Sequence, residues 1–140
     1  MRPFEGIRVI DMTHVLAGPF AAYQLAVLGA DVIRVEHPEE FDYARMFGAD
    51  HALNDARMGT GYLTQSSNKR SVALDLKTDG GREILNRLVS GADIFIENFR
   101  PGALDSLGFG YDAMKQVNPR LIYASFSAFG HTGEKSHYTG

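Results

Sequence analysis

The sequence predicts an α/β domain built on a doubly wound, mostly parallel sheet. Three observations predict it. Short runs of consecutive apolar residues, several of them β-branched, recur along the chain and read as strands buried on both faces. Helical stretches alternate with those runs throughout. The opening Gly6–Glu36 segment forms a complete strand–helix–strand unit, which in parallel sheets is right-handed.

In that opening unit Ile7, Val9 and Ile10 make a strand ending at Asp11. Pro19 suits a first helical turn, where its missing N–H costs nothing, and Phe20–Leu28 continues the helix to a stop at Gly29. Val32, Ile33 and Val35 form a second strand ending at Glu36. Ligands of such sheets bind beyond the carboxyl ends of the strands. The loop Met12–Gly18 and the segment Glu36–Arg45 are therefore the first places to look for a site.

His37-Pro38 then blocks helix continuation, and Glu39, Glu40, Asp42 and Asp50 mark an irregular, acidic connection to about Ser67, anchored near its end by Tyr62 and Leu63. Ser71–Leu76 alternates as a strand with Val72, Leu74 and Leu76 on one face. Thr78 is placed to cap a helix whose apolar stripe is Ile84, Leu85, Leu88 and Val89, and Gly91 ends it. Asp93–Asn98 is a strand buried on both faces. Short helices follow over Ala103–Leu107 and Tyr111–Val117, and Leu121–Ser125 is the last strand. Gly130–Gly140 is polar and glycine-rich; it reads either as a loose terminus or as a sign that the sequence is the amino-terminal piece of a longer chain.

A length of 140 residues suits one domain with a real core. Hydrophobic content of 44% and charged content of 22% are those of a globular protein. A net charge of −3 gives no electrostatic reason to expect nucleic acid or an anionic membrane as a partner. The absence of cysteine excludes disulfides, thiolate metal sites and cysteine nucleophiles. No apolar run approaches the ~20 residues of a membrane span, and a cytoplasmic location is the default expectation.

Several residues invite a chemical reading. The phosphate fingerprint G-x-G-x-x-G is absent, since the loop after the first strand has Gly18 alone. Glu36 sits where a ribose-binding acid would sit in a dinucleotide enzyme; the alternative is a solvated carboxylate at a strand end. Lys69, Arg70 and Lys77 bracket a strand and read either as phosphate contacts or as a solvated basic edge. Asn98-Phe99-Arg100-Pro101-Gly102 follows a buried strand and puts an amide, a ring, a guanidinium and a turn within one loop, although turn chemistry alone explains the pattern equally well. The five histidines show no metal-ligand spacing, and no serine lies in a G-x-S-x-G elbow.

Taken together, GIRVIDMTHVLAGPFAAYQLAVLGADVIRVE, NKRSVALDLKTDGGREIL, ADIFIENFRPGALDSLGFGYDAMKQVNPRLIYAS and FGHTG resemble, in order and spacing, the family III CoA-transferases, a family that includes formyl-CoA and carnitine CoA-transferases and α-methylacyl-CoA racemases. The resemblance spans nearly the whole chain apart from Phe41–Gly61. It implies a Rossmann-like CoA-binding part of a larger domain, two subunits interlocked as a homodimer, acyl-CoA and a carboxylic acid as substrates, and no metal. It further implies an aspartate nucleophile that passes through anhydride and aspartyl-CoA thioester intermediates.

Carried over by position, the resemblance implies CoA contacts at Leu16 and Ala17, at His37, at Leu74, Asp75, Leu76 and Lys77, at Asn98, Phe99 and Arg100, and at Ser106. His37 stands where relatives often have arginine and Ser106 where some members carry one, which puts charge pairing at those points in doubt. Leu16 replaces a glutamine of formyl-CoA transferases and argues against that substrate. The family's nucleophile lies downstream of Gly140; Asp75, Asp93, Asp105 and Asp112 do not match it. Residues 1–140 are thus expected to be a CoA-binding amino-terminal portion, inactive alone. A racemase with the same scaffold and a non-catalytic nucleotide-binding module are the alternatives.

Overall fold

A computed structural model describes residues 1–138. Its five strands, β1 (Arg8–Asp11), β2 (Asp31–Glu36), β3 (Lys69–Ala73), β4 (Ile94–Glu97) and β5 (Ile122–Ser125), form one sheet in the order β3-β2-β1-β4-β5, and every pairing is parallel. The order reverses at β1, so chain connections leave β1 in opposite directions and open a crevice at the carboxyl ends of the central strands.

The runs of consecutive apolar residues have a direct structural meaning. Side chains of a strand alternate between faces, and each central strand feeds two cores with neighbouring residues. Ile10, Ile33 and Phe95 join Leu85, Val89 and Met114 on one face. Val9, Val32 and Ile96 join Ala22 and Ala26 on the other. The second face is covered by α1 (Ala17–Val27), whose alanines let its backbone approach the sheet; Pro19 lies in its first turn as expected. The first face is covered by α4 (Asp79–Ser90), which buries Leu85 and Val89, and by α6 (Tyr111–Val117), which buries Met114. The Thr78 hydroxyl accepts the Gly81 N–H at 3.1 Å and caps α4.

Two expectations require correction. The third strand runs over Lys69–Ala73 rather than Ser71–Leu76. It lies at the sheet edge and pairs only with β2, from Val32↔Lys69 to Glu36↔Ala73, so it tolerates polar residues that an apolar-run criterion discards. Leu74 and Leu76 leave the ladder yet still pack into the first core. The connection after Glu36 is also not irregular. It holds a 3₁₀ turn (Tyr43–Met46), then α2 (His51–Asp55) and α3 (Thr60–Ser66). Asp42 and Asp50, which mark a loop when read by composition, are the residues that cap the first two of these turns. Tyr62 in α3 is buried, as an anchor should be. Of the polar Gly130–Gly140 stretch, Thr139 and Gly140 lie outside the described residues.

Close packing between α4 and the chain leading into it gives a test. A Cβ on Gly81 would lie 2.0 Å from the backbone oxygen of Asp75. Alanine gains up to ~1 kcal/mol of helix propensity over glycine, but the clash is with backbone and costs about 1–3 kcal/mol. Gly81→Ala is expected to lower stability in urea denaturation, whereas at Gly80, where a Cβ meets nothing within 4 Å, alanine is expected to raise it.

Candidate ligand groove at the strand ends

Beneath the carboxyl edge of the sheet lies a buried cluster of charge. Arg34, on β2, is 1% exposed and faces Asp11 at 3.7 Å, Glu36 at 3.4 Å and Asp42 at 2.5 Å. Lys69 Nζ bonds Asp11 at 2.7 Å and the Pro19 carbonyl at 2.9 Å. Arg45 forks onto Glu36 through Nε at 3.0 Å and Nη2 at 2.7 Å, with its guanidinium 3.6 Å from the centre of the Tyr62 ring. Three cations thus meet three carboxylates, and the cluster is neutral as a whole. Burial pushes the Glu36 carboxyl up, but the hydrogen bonds from Arg45 and the nearby Arg34 charge outweigh it and hold the group at about 2. Burial depresses Lys69 despite its contact with Asp11.

This cluster shapes the loop between β1 and α1. The Asp42 carboxylate accepts the Val15 N–H at 3.1 and 3.2 Å and the Ala44 N–H at 2.9 Å. From the other side, the Asn98 amide accepts the His14 N–H at 2.8 Å and donates to the His14 carbonyl at 2.9 Å. Val15 has φ = 69°. For a β-branched residue that is an outlier costing on the order of 1–3 kcal/mol, and it persists because its neighbours are clamped.

Above the clamp is a groove of about 130 Å³. Met12, Val35, Leu74, Leu76, Phe99 and Leu107 supply its apolar walls, with the His14 ring set edge-on to Phe99 at 5.1 Å. Burial lowers the pKa of His14, and the nearby Asp42 charge opposes that. His37, Glu40, Asp75 and Lys77 make the polar side. His37 Nδ1 accepts the N–H groups of Glu39 and Glu40 at 3.2 and 2.9 Å, and its Nε2 lies 3.6 Å from Asp75. Lys77 Nζ stands 3.8 Å from Glu40, both side chains being largely solvent-exposed. Whole ligand pockets run to ~300–1,000 Å³, so the groove suits one flat end of an extended ligand.

Of the residues singled out in the sequence, His37, Leu74, Asp75, Leu76, Lys77 and Phe99 line this groove together. Asn98 lies beneath it as the loop clamp. Leu16 and Ala17 are exposed where α1 begins and do not line it. Arg100 borders a separate cavity of about 250 Å³ with Glu97, Ser125 and His131, and Ser106 donates to the Ala103 carbonyl at 2.7 Å in α5 (Ala103–Ser106). Met12, His14 and Glu40 were not singled out individually, although they lie in the two segments that sheet topology marks as site-forming; Val35 and Leu107 carried only the signal of core residues. Glu36 is neither a free ribose acceptor nor a solvated carboxylate, because Arg45 and Arg34 occupy it. Lys69 is likewise neither a phosphate contact nor a solvated edge, and Arg70 is paired to Asp31 at 2.7 Å. Among the described residues, no group of three or more metal-ligating side chains converges, and no helix is long and apolar enough to cross a membrane.

A parallel sheet with this order and a groove across its strand ends defines a doubly wound α/β domain with a site at its topological switch point. The chain belongs to CoA-transferase family III, whose sequence profile matches residues 4–140. It is 45% identical over 97% of its length to the acetyl-CoA:oxalate CoA-transferase of Acetobacter aceti, and 40% identical over 100% to the succinyl-CoA:glutarate CoA-transferase of Mus musculus. It spans only 34% and 31% of those two proteins, about a third of each. The structure superposes on a CAIB/BAIF family protein from Brucella suis with a TM-score of 0.89 at 39% identity, covering 99% of this chain and 37% of that one.

The charge cluster predicts the acid limb of stability. Glu36 is held at about 2, below its ordinary 4.5. Its contribution, of the order of 3 kcal/mol, is therefore fully present above about pH 4.5 and is lost as pH falls through 2. Urea denaturation at stepped pH is expected to show stability falling across that window. Glu36→Gln is expected to start lower, since Arg45 loses its carboxylate and Arg34 one of its three, and to show a flatter profile there.

Proposed function

We propose that this chain is the CoA-binding, amino-terminal portion of a CoA-transferase that moves CoA between an acyl-CoA donor and a carboxylic acid. The observation that carries the reading is the groove at the strand ends, in a chain of this family. Phe99 and the leucines offer a flat apolar slot for an adenine ring, and Lys77 offers an ammonium whose only ionic partner among the described residues is the exposed, distant Glu40. The acceptor fits a dicarboxylic acid: the relatives named above act with oxalate and glutarate. In this reading the full protein is a cytoplasmic, interlocked homodimer.

In the reaction proposed, a carboxylate of an aspartate outside residues 1–140 attacks the donor thioester carbonyl and expels the CoA thiolate, leaving an acyl-aspartyl anhydride. The thiolate attacks the aspartyl carbonyl, releases the donor acid and leaves an aspartyl-CoA thioester. The acceptor carboxylate then displaces CoA to form a second anhydride. Thiolate attack on its acyl carbonyl yields the new acyl-CoA and restores the aspartate. Residues 1–138 contribute to this sequence by holding the nucleotide end of CoA while its thiol end passes through three covalent partners. Asp75 accepts the Lys77 N–H at 2.8 Å and so shapes the turn at the groove's rim rather than the covalent chemistry.

Calorimetric titration of the full-length protein with CoA tests the binding site. Lys77→Ala is expected to weaken binding by about tenfold, the ~1.4 kcal/mol of one charge-assisted contact. Unchanged affinity removes the groove from the CoA site. Mixing an acyl-CoA with free oxalate or glutarate is expected to give CoA exchange; deuterium uptake at the α-carbon without exchange identifies a racemase instead.

A further inference from the structure

We infer that Asp42 is a positioning residue for the ligand groove: its buried carboxylate holds Val15 in the left-handed conformation and thereby sets the His14 wall. The inference rests on the CoA reading for the identity of the ligand but not for the geometry. Asp42 is 1% exposed and receives three donors, the Val15 and Ala44 amides and the Arg34 guanidinium. Its own N–H points to Glu36 at 3.4 Å. A carboxylate accepts at both oxygens, whereas an asparagine in its place turns an NH₂ toward one of these donors in either orientation.

Val15 is where that grip matters, because valine resists φ = 69° and glycine does not. Its side chain is 50% exposed and lines no part of the groove, so the cost of its conformation is not offset by burial. The residue before it is His14, whose ring meets Phe99 and whose backbone is fixed by Asn98. Released from Asp42, Val15 relaxes to negative φ and carries His14 away from Phe99. Asp42 thus links the buried cluster to the ligand surface without touching the ligand.

Coupling between the two positions tests this in the full-length protein. Asp42→Asn is expected to speed hydrogen exchange in a peptide spanning residues 13–18 by at least about tenfold while Ile94–Glu97 of β4 stays protected, and to raise the Kd for CoA about tenfold. In a Val15→Gly background, where positive φ no longer needs enforcing, the same substitution is expected to change Kd by less than about threefold. A general structural defect moves Kd equally in both backgrounds. Should Asp42→Asn prevent folding, Val15→Pro removes the same N–H and fixes φ at about −65°, the relaxed conformation, and is expected to produce the same loss of CoA affinity; unchanged Kd there overturns the inference. Unaltered exchange at 13–18, or equal factors with and without Val15→Gly, overturns the inference. If the unsubstituted protein fails to bind CoA, the CoA reading falls while the exchange data still judge the role of Asp42.

Discussion

The structure depends on keeping Arg34 charged in a place with almost no water. Removing a guanidinium from solvent costs several kcal/mol, and leaving it without partners once buried costs about 3–5 kcal/mol. Asp11, Glu36 and Asp42 surround it, and Lys69 and Arg45 then occupy the outer sides of two of those carboxylates. Arg34 Nε and Nη1 face oxygens at 3.4 and 3.7 Å without a direct hydrogen bond, so their compensation is ionic rather than geometric. Losing any one member leaves net charge in the interior. The four chain segments that supply the cluster are therefore constrained together.

That constraint explains why the long excursion after β2 is ordered. The 42–66 segment contributes little apolar surface to either core. It is attached by Asp42 onto Arg34, by Arg45 onto Glu36, and by the Tyr62 ring beneath the Arg45 guanidinium. Polar attachment of this kind is directional, and it delivers Glu40 and His37 to a fixed position beside Asp75 and Lys77. A purely apolar anchor of equal strength would hold the segment down without fixing its register.

The central strands were legible in the sequence because burial on both faces forces consecutive apolar residues, as in Val9-Ile10 and Phe95-Ile96. The edge strand begins at Lys69 rather than at Ser71, because a strand with one neighbour is under no such demand. The short helices of 43–66 escaped because they carry no helical period long enough to detect, and their aspartate caps look like loop residues. For the site, segment positions were legible while individual roles were not. Lys69 and Asp11 are 58 positions apart, and no local pattern announces that a basic run will turn inward to meet a strand-end aspartate. Asn98 grips the loop that forms the groove. Its position after a buried strand was informative, but the amide's partners depend on tertiary packing.

If the groove holds CoA as proposed, an anionic ligand must be accommodated in a chain of net charge −3. Two of its four polar residues are acidic, but neither faces inward as a free charge. The Asp75 carboxylate accepts the Lys77 amide and faces His37, and Glu40 leans toward the Lys77 ammonium. His37 uses its Nδ1 to accept the Glu39 and Glu40 amides. Ser106 spends its hydroxyl on its own helix. His37 and Ser106 are thus both engaged in local structure. In the proposed CoA reading, recognition falls mainly to the shape and apolarity of the slot between His14, Phe99 and the leucines, with one ammonium at its rim. That division puts the burden on accurate placement of the His14–Val15 backbone, which the buried charge cluster supplies.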